Sequence, residues 1–223
     1  MKIEEAGRFI VFEGLDGSGK TTQAKLLATR LSKIGFSAHI TSEPTDSVIG
    51  KLIKQHMMGI AHFDEETVAA LFVADRLDHI LNKTDGICTI LKKGINVISD
   101  RYYFSSYAYH SVHAPMDWVI QANSLSENIL RPDLNIFIDV PTDICIERIS
   151  LNRTKPQRYE KIENLQEVLN NYHIAFDKLK DREIVVKIDG TKSPDEVSDE
   201  IWLKIFDLFP IIEPTKNEQK IRD

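Results

Sequence analysis

Cysteine is scarce in this chain: two in 223 residues, Cys88 and Cys145, neither in a CxxC or Cys–His cluster. That argues against a disulfide framework or a zinc site and fits two inert thiols in a reducing compartment. A basic surplus is missing too. Lys and Arg total 28 against 34 Asp and Glu, for a formal net charge of −6. A general nucleic-acid binder needs a basic face, so no nucleic-acid partner is expected, whereas a small phosphate ligand needs only a local positive cluster. The chain has no long apolar run. Residues 1–8 are mostly polar and the stretch 9–12 is too short for a signal or membrane segment, so we expect a cytoplasmic protein with no membrane partner. Internal repeats and low-complexity tracts are also absent.

What is present is the balance of a globular protein, 42% hydrophobic and 28% charged. The length suits one core. We expect a single domain over 1–210, followed by a polar tail over 211–223. Short apolar runs at 9–13, 38–41, 95–99, 134–139 and 184–188 read as strands. Helical patterns fill the gaps at 19–34, 47–58, 65–82, 84–93, 103–126, 142–152, 161–180 and 194–207. Short apolar strands separated by helices predict an α/β fold, a mostly parallel five-stranded sheet covered on both faces. The region between the second and third strands is almost wholly helical and predicts a lobe beside the sheet.

Directly behind the first apolar run, Gly14-Leu15-Asp16-Gly17-Ser18-Gly19-Lys20-Thr21 reads GxxxxGKT. Glycines let successive backbone N–H groups curl around a phosphate, the next helix offers its unpaired N-terminal donors, and Lys20 adds a mobile charge. Thr21 supplies a hydroxyl for the magnesium ion that accompanies a nucleotide. The third strand ends in Asp100-Arg101. In open parallel sheets ligands bind at the strands' C-terminal ends, so Asp100 is a magnesium candidate and Arg101 a bidentate phosphate clamp. Asp16, a carboxylate inside the loop, is expected to meet a sugar hydroxyl or metal-bound water. Glu43 places a further acid on the same edge.

Phe72, Asp75, Arg76 and His79 recur at i, i+3, i+4 and i+7 and so share one helix face, poorly suited to a core and well suited to a pocket. Phe72 could stack on a base, Arg76 bind its edge or a phosphate, and Asp75 pair with an arginine. The stretch 101–110, Arg-Tyr-Tyr-Phe-Ser-Ser-Tyr-Ala-Tyr-His, is dense in aromatics and hydroxyls; about half of the aromatics would be ordinary packing and the rest a pocket wall. A basic segment with Arg148, Arg153, Lys155 and Arg158 interrupts a helical pattern and predicts a lid over about 149–160 that closes on transferring phosphates and excludes water.

Together these segments resemble the thymidylate kinases, P-loop enzymes that phosphorylate dTMP with ATP. The resemblance covers roughly 8–207 and rests on Phe12–Gln23, Ser42-Glu43-Pro44-Thr45, Leu71–Arg76 and Asp100–Tyr109. It implies a P-loop kinase fold with a helical substrate lobe and a short lid, ATP and Mg2+, and a homodimer formed through the lobe. It also implies that Gly14, Asp16, Gly17, Ser18, Gly19, Lys20, Thr21 and Thr22 hold ATP, with Thr21 and Asp100 on the metal. On the acceptor side Asp16 would meet the 3′-hydroxyl and Phe72 stack on thymine. Arg76 would bind the base carbonyl and Arg101 the monophosphate. Tyr109 would crowd the 2′ position, Ser105 or Ser106 reach toward the base, and Glu43 line the site. Gly17 in the loop implies the group whose catalytic arginines lie in the lid, with Arg153 first and Arg158 beside it.

The chain departs from the family pattern at Ser42, where many members have arginine, and at His110, where many bacterial members have glutamine. Lys51 or Lys54 could replace the lost cation, and the contact at thymine N3 would differ. A nucleoside or nucleotide kinase with another acceptor, such as dUMP, another monophosphate or a deoxynucleoside, is the nearest alternative. A P-loop ATPase or GTPase switch is more distant; it would want an Asn/Thr-Lys-x-Asp guanine motif or a partner-binding switch segment, and neither is expected here.

Overall fold

A computed structural model describes residues 6–152 and 164–209. Five strands, β1 (Phe9–Glu13), β2 (Ala38–Ser42), β3 (Asn96–Asp100), β4 (Leu134–Asp139) and β5 (Val185–Asp189), form one parallel sheet in the order β2-β3-β1-β4-β5. Every residue of β1 is buried, on both alternating faces, which a strand achieves only with layers above and below it. β2 and β5 are the edges, and β2 is accordingly half exposed.

Helices α1 (Lys20–Lys33), α2 (Val48–Met57), α3 (Glu65–Leu81), α4 (Ile87–Leu91), α5 (Tyr103–Tyr109), α6 (Met116–Ile129), α7 (Thr142–Asn152), α8 (Leu165–Leu179) and α9 (Pro194–Ile205) fill the connections. α1 lies on β1, β2 and β3 and meets α9, while α5 packs on α8. The latter contact is aromatic: Phe104 meets Phe176 edge-on at 4.9 Å between centroids, and Phe137 of β4 lies 5.0 Å from both Tyr172 and Phe176. α9 starts where Ser193-Pro194-Asp195-Glu196 suggests, with a capping box between Ser193 and Glu196 and proline in the first turn. α2, α3 and α4 form the lobe between β2 and β3.

One long helix expected over 103–126 is in fact two. α5 ends at Tyr109, a 3-10 turn covers His110–Val112, and Pro115 caps α6. Pro115 has no N–H to continue the ladder and disfavours a helical Ala114, so the chain must restart. α4 is also much shorter than the span 84–93.

β1 and β3 are neighbours whose following connections run to opposite sides of the sheet, β1 on to β2 and β3 on to β4. The crevice beyond their carboxyl ends is where ligands bind in such sheets. Phe12 pairs with Asp100 in register, so the glycine loop and the Asp100-Arg101 pair leave the sheet side by side.

Candidate active site

The glycine loop and the first turn of α1 line one cavity, together with Asp100, Arg101, Arg148 and Lys192. Gly19 precedes α1 at φ 102°, and that first turn carries no acid, so its unpaired N–H groups face the cavity undiluted. Gly17 has φ 80°, and a Cβ there would stand 2.6 Å from the Cys145 carbonyl oxygen. Lys20 is 5% exposed and donates to the Leu15 carbonyl at 2.8 Å. Burial, helped by Arg101, pushes its ammonium below the usual lysine range, a penalty that an anion in the cavity would relieve.

Thr21 donates its hydroxyl to Asp100 Oδ2, while Asp100 Oδ1 is buried with no hydrogen-bond partner among the described residues. Two hard oxygen donors, one with an unused buried lone pair, suit a magnesium ion that keeps most of its waters. Asp100 and Thr21 therefore come together as the sequence suggested.

Arg101 sits at φ 77°, in the left-handed region a non-glycine residue rarely adopts. This backbone twist turns its guanidinium back across the loop. It reaches Asp16 at 2.5 Å, Ser105 Oγ at 2.8 Å and the Gly14 carbonyl at 3.3 Å, and lies 4.9 Å over the Tyr109 ring. Burial opposes its charge, yet the Asp16 carboxylate together with Tyr109, Tyr172 and Asp100 outweighs this and raises its pKa well above normal. Asp16 is thus partnered by Arg101, and its backbone N–H donates to Tyr109 Oη at 3.2 Å.

Beneath this pair lies a fully buried Glu13. It accepts from the N–H and Oγ of Ser105, at 3.2 and 2.6 Å, from the Tyr102 N–H at 2.9 Å and from Tyr172 Oη at 3.0 Å. Burial raises its pKa, and Ser105, Arg101 and Tyr172 oppose the rise. Ser105 is therefore a brace between Glu13 and Arg101, although its residue also lines the neighbouring pocket.

That second pocket is mostly apolar, lined by Met57, Phe72, Tyr102 and Pro44 with Arg76, Ser106, Tyr109, His110, Glu43, Asp16, Ser105 and Arg101. Arg76 is 1% exposed. Glu43 Oε2 accepts from its Nε at 2.9 Å and one terminal nitrogen at 2.6 Å, Ser106 Oγ from that nitrogen at 3.0 Å, and Asn123 Oδ1 from the other nitrogen. Of its five N–H groups one has no partner among the described residues and remains for a ligand. Glu43 spends its other oxygen on His79 Nδ1 at 3.1 Å, so within the pocket wall its carboxylate serves Arg76. Phe72 lies against His110 at 4.9 Å between centroids, tilted by 53°. Burial, then Arg76 and His113, push His110 down to about 3, so this ring is neutral at physiological pH.

Among the described residues Asp75 pairs with no arginine. Its carboxylate accepts from Thr45 N–H and Oγ1 at 2.8 and 2.6 Å and from Ser47 Oγ at 2.9 Å, pinning the β2–α2 loop to α3. Its position one residue from Arg76 rotates it about 100° away from that side chain's direction. His79 bridges Thr41 and Glu43 and is structural. In the aromatic stretch, Tyr103 and Tyr107 are buried with their hydroxyls on Glu183 and Glu127, while Ser106, Tyr109 and His110 face the pocket.

Arg153 and Arg158 lie outside the described residues, as do most of the expected lid, the start of the 161–180 helix and the tail 211–223. Arg148, from the same basic set, lines the loop cavity and donates to the Gly190 carbonyl at 2.9 Å. Sequence reasoning missed Asn123, Tyr172, Met57 and Lys192. The spelling Asn82-Lys83-Thr84-Asp85 does match a guanine motif, but it forms the turn that ends α3, with Thr84 N–H on Asn82 Oδ1 at 2.9 Å, rather than a segment behind a strand of the sheet.

A parallel sheet with a glycine loop behind β1, and an arginine shared between that loop's cavity and an apolar pocket, defines a P-loop nucleotide kinase. The family profile described as thymidylate kinase matches residues 12–201. A probable thymidylate kinase of Pyrococcus horikoshii is 43% identical over 173 residues, spanning 74% of this chain and 81% of the relative. One from Pyrococcus abyssi is 38% identical over 202 residues, 87% and 94% of the two chains. The thymidylate kinase of Leptospira borgpetersenii is 32% identical over 206 residues, 92% and 96%. The chain belongs to the thymidylate kinase family. No helix among the described residues is long and apolar enough to cross a membrane.

Proposed function

We propose that this protein transfers the γ-phosphoryl group of ATP to dTMP, giving dTDP, in the cytoplasm and as a homodimer built through the helical lobe. The observation that carries the reading is that Arg101 belongs to the walls of both cavities, so a nucleotide in each would meet at this one side chain. ATP takes the glycine loop, with Gly14, Gly17, Ser18, Gly19, Lys20, Thr21 and Thr22 around its phosphates. The acceptor takes the apolar pocket, its base against Phe72 and beside the one free N–H of Arg76. Tyr109 and Asp16 stand at the sugar, and Arg101 at the monophosphate.

The nucleophile is a phosphate oxygen already ionised near neutral pH, so no general base is needed, and catalysis is positioning and charge neutralisation. Thr21 and Asp100 would hold Mg2+, which when bound neutralises charge on the nucleotide phosphates. Lys20 and Arg101 supply fixed positive charge, and Arg153 and Arg158 would add theirs from the lid. The Asp16–Arg101 pair keeps the arginine aimed at the junction of the two cavities.

The test is ADP release with ATP and Mg2+ across dTMP, dUMP, dCMP, dGMP, AMP and thymidine. Strong preference for dTMP supports the reading. Comparable rates on several monophosphates replace it with a broader kinase, and ADP release independent of any acceptor replaces it with an ATPase.

A further inference from the structure

A third cavity joins the other two. It shares Glu43, Pro44, Met57 and Arg101 with the apolar pocket, and Asp100 and Arg101 with the glycine-loop cavity. Its own wall adds Ser42 at the end of β2 and Lys54 and Met58 from the end of α2. It encloses about 330 Å³, room for a phosphate group and several waters. It therefore lies beside the place where the other two cavities meet at Arg101.

The charge at the junction is short of what a phosphate needs. Arg101 shares its charge with Asp16, Glu43 is paired with Arg76, and Asp100 adds a further carboxylate to the wall. A monophosphate carries between one and two negative charges near neutral pH. Among the described residues of this wall, Lys54 is the one other cation. Its ammonium is held 2.6 Å from Asp46, whose side chain is 92% exposed, while that of Lys54 is 35% exposed. Surface pairs of this kind hold weakly, so the lysine is released at little cost.

We propose that Lys54 is a second cation for the phosphate of the acceptor nucleotide, exchanging Asp46 for that phosphate when the acceptor binds. This rests on the reading that the apolar pocket takes the acceptor. Four unbranched carbons give the ammonium the reach to turn from the loop at Asp46 into the cavity it already lines. Lys54 thereby separates acceptors that carry a phosphate from those that do not.

The test is calorimetric titration of dTMP and of thymidine, without ATP, into the wild type and the variants Lys54→Met, Lys54→Arg and Asp46→Asn. Lys54→Met should weaken dTMP about tenfold or more, the loss expected for one charge-assisted hydrogen bond, and leave thymidine within about twofold. Lys54→Arg should keep most of the dTMP affinity, and Asp46→Asn should bind dTMP at least as tightly as the wild type. The proposal is overturned if Lys54→Met binds dTMP within about twofold of wild type. It is equally overturned if thymidine weakens in parallel, or if Asp46→Asn loses as much as Lys54→Met. A wild type that fails to bind dTMP overturns the acceptor reading itself, and Lys54 with it.

Discussion

Replacing Glu43 with alanine should cost more than any other single change in the acceptor pocket. The Arg76 guanidinium and the Glu43 carboxylate are 1% and 2% exposed, and one Glu43 oxygen accepts two of the arginine's N–H groups. Burial opposes the arginine's charge, and Glu43, joined by Tyr102 and Tyr107, outweighs this, so its pKa is raised. Arginine does not shed its proton when the partner goes. Neutral Asn123 and Ser106, and the Tyr102 ring 5.4 Å away, would be left to hold a buried cation. Breaking a buried pair from one side costs about 3–5 kcal/mol. At about 2–4 °C per kcal/mol for a chain of this size, Glu43→Ala should melt roughly 6–20 °C below the wild type.

The assay is urea unfolding of the wild type, Glu43→Ala, Arg76→Met and the double variant, with the dTMP KM of each. The double variant carries no unpaired buried charge and should be at least as stable as Glu43→Ala, so the two effects should be far from additive. Glu43→Ala should also raise the KM for dTMP and not that for ATP. A loss below about 1 kcal/mol, or additive effects, would refute the reasoning that Arg76 depends on Glu43 for its charge and position.

His110 supplies a pH prediction. Its pKa is about 3 folded against 6.5 in the open chain, so between those values the unfolded state binds a proton that the folded state does not. Stability is therefore full above pH 6.5 and falls as pH drops, and from pH 6.5 to 5 the wild type should lose roughly 2 kcal/mol more than His110→Gln, read by urea melts at each pH. Gly17→Ala puts a Cβ against the Cys145 carbonyl at a φ glycine tolerates, and should lower stability by about 1–3 kcal/mol and raise the KM for ATP; unchanged kinetics would contradict the loop's role. Tyr172→Phe removes the hydroxyl that joins Glu13, Ser105 and Gly14, and should cost about 1–3 kcal/mol in a thermal melt while lowering kcat through a misplaced Arg101.

The sheet was readable because its strands are short, apolar and bounded by helices; β1 and β4 fall where the apolar runs fall, and β2, β3 and β5 lie within a residue or so. The phosphate loop was readable because its function is local: glycine dihedrals, helix donors and Lys20 all lie within eight residues. The break at Pro115 is hidden in the sequence because apolar periodicity continues on both sides of it. The partners of Asp75 are not legible because helix spacing gives a face and not a partner, and Thr45 and Ser47 lie in another segment. Tyr172 meets Glu13 across 159 positions and Asn123 meets Arg76 across 47, distances at which no local pattern carries a signal. The left-handed Arg101 is equally silent in the sequence, because the conformation is imposed by the β3–α5 junction rather than by the residue type.

The most direct test of the central claim follows the label from γ-phosphoryl-labelled ATP, incubated with the protein, Mg2+ and dTMP and separated by chromatography. Label appearing in dTDP at the rate that ADP forms is the predicted result. Label appearing as inorganic phosphate, with dTMP recovered unchanged, would contradict it.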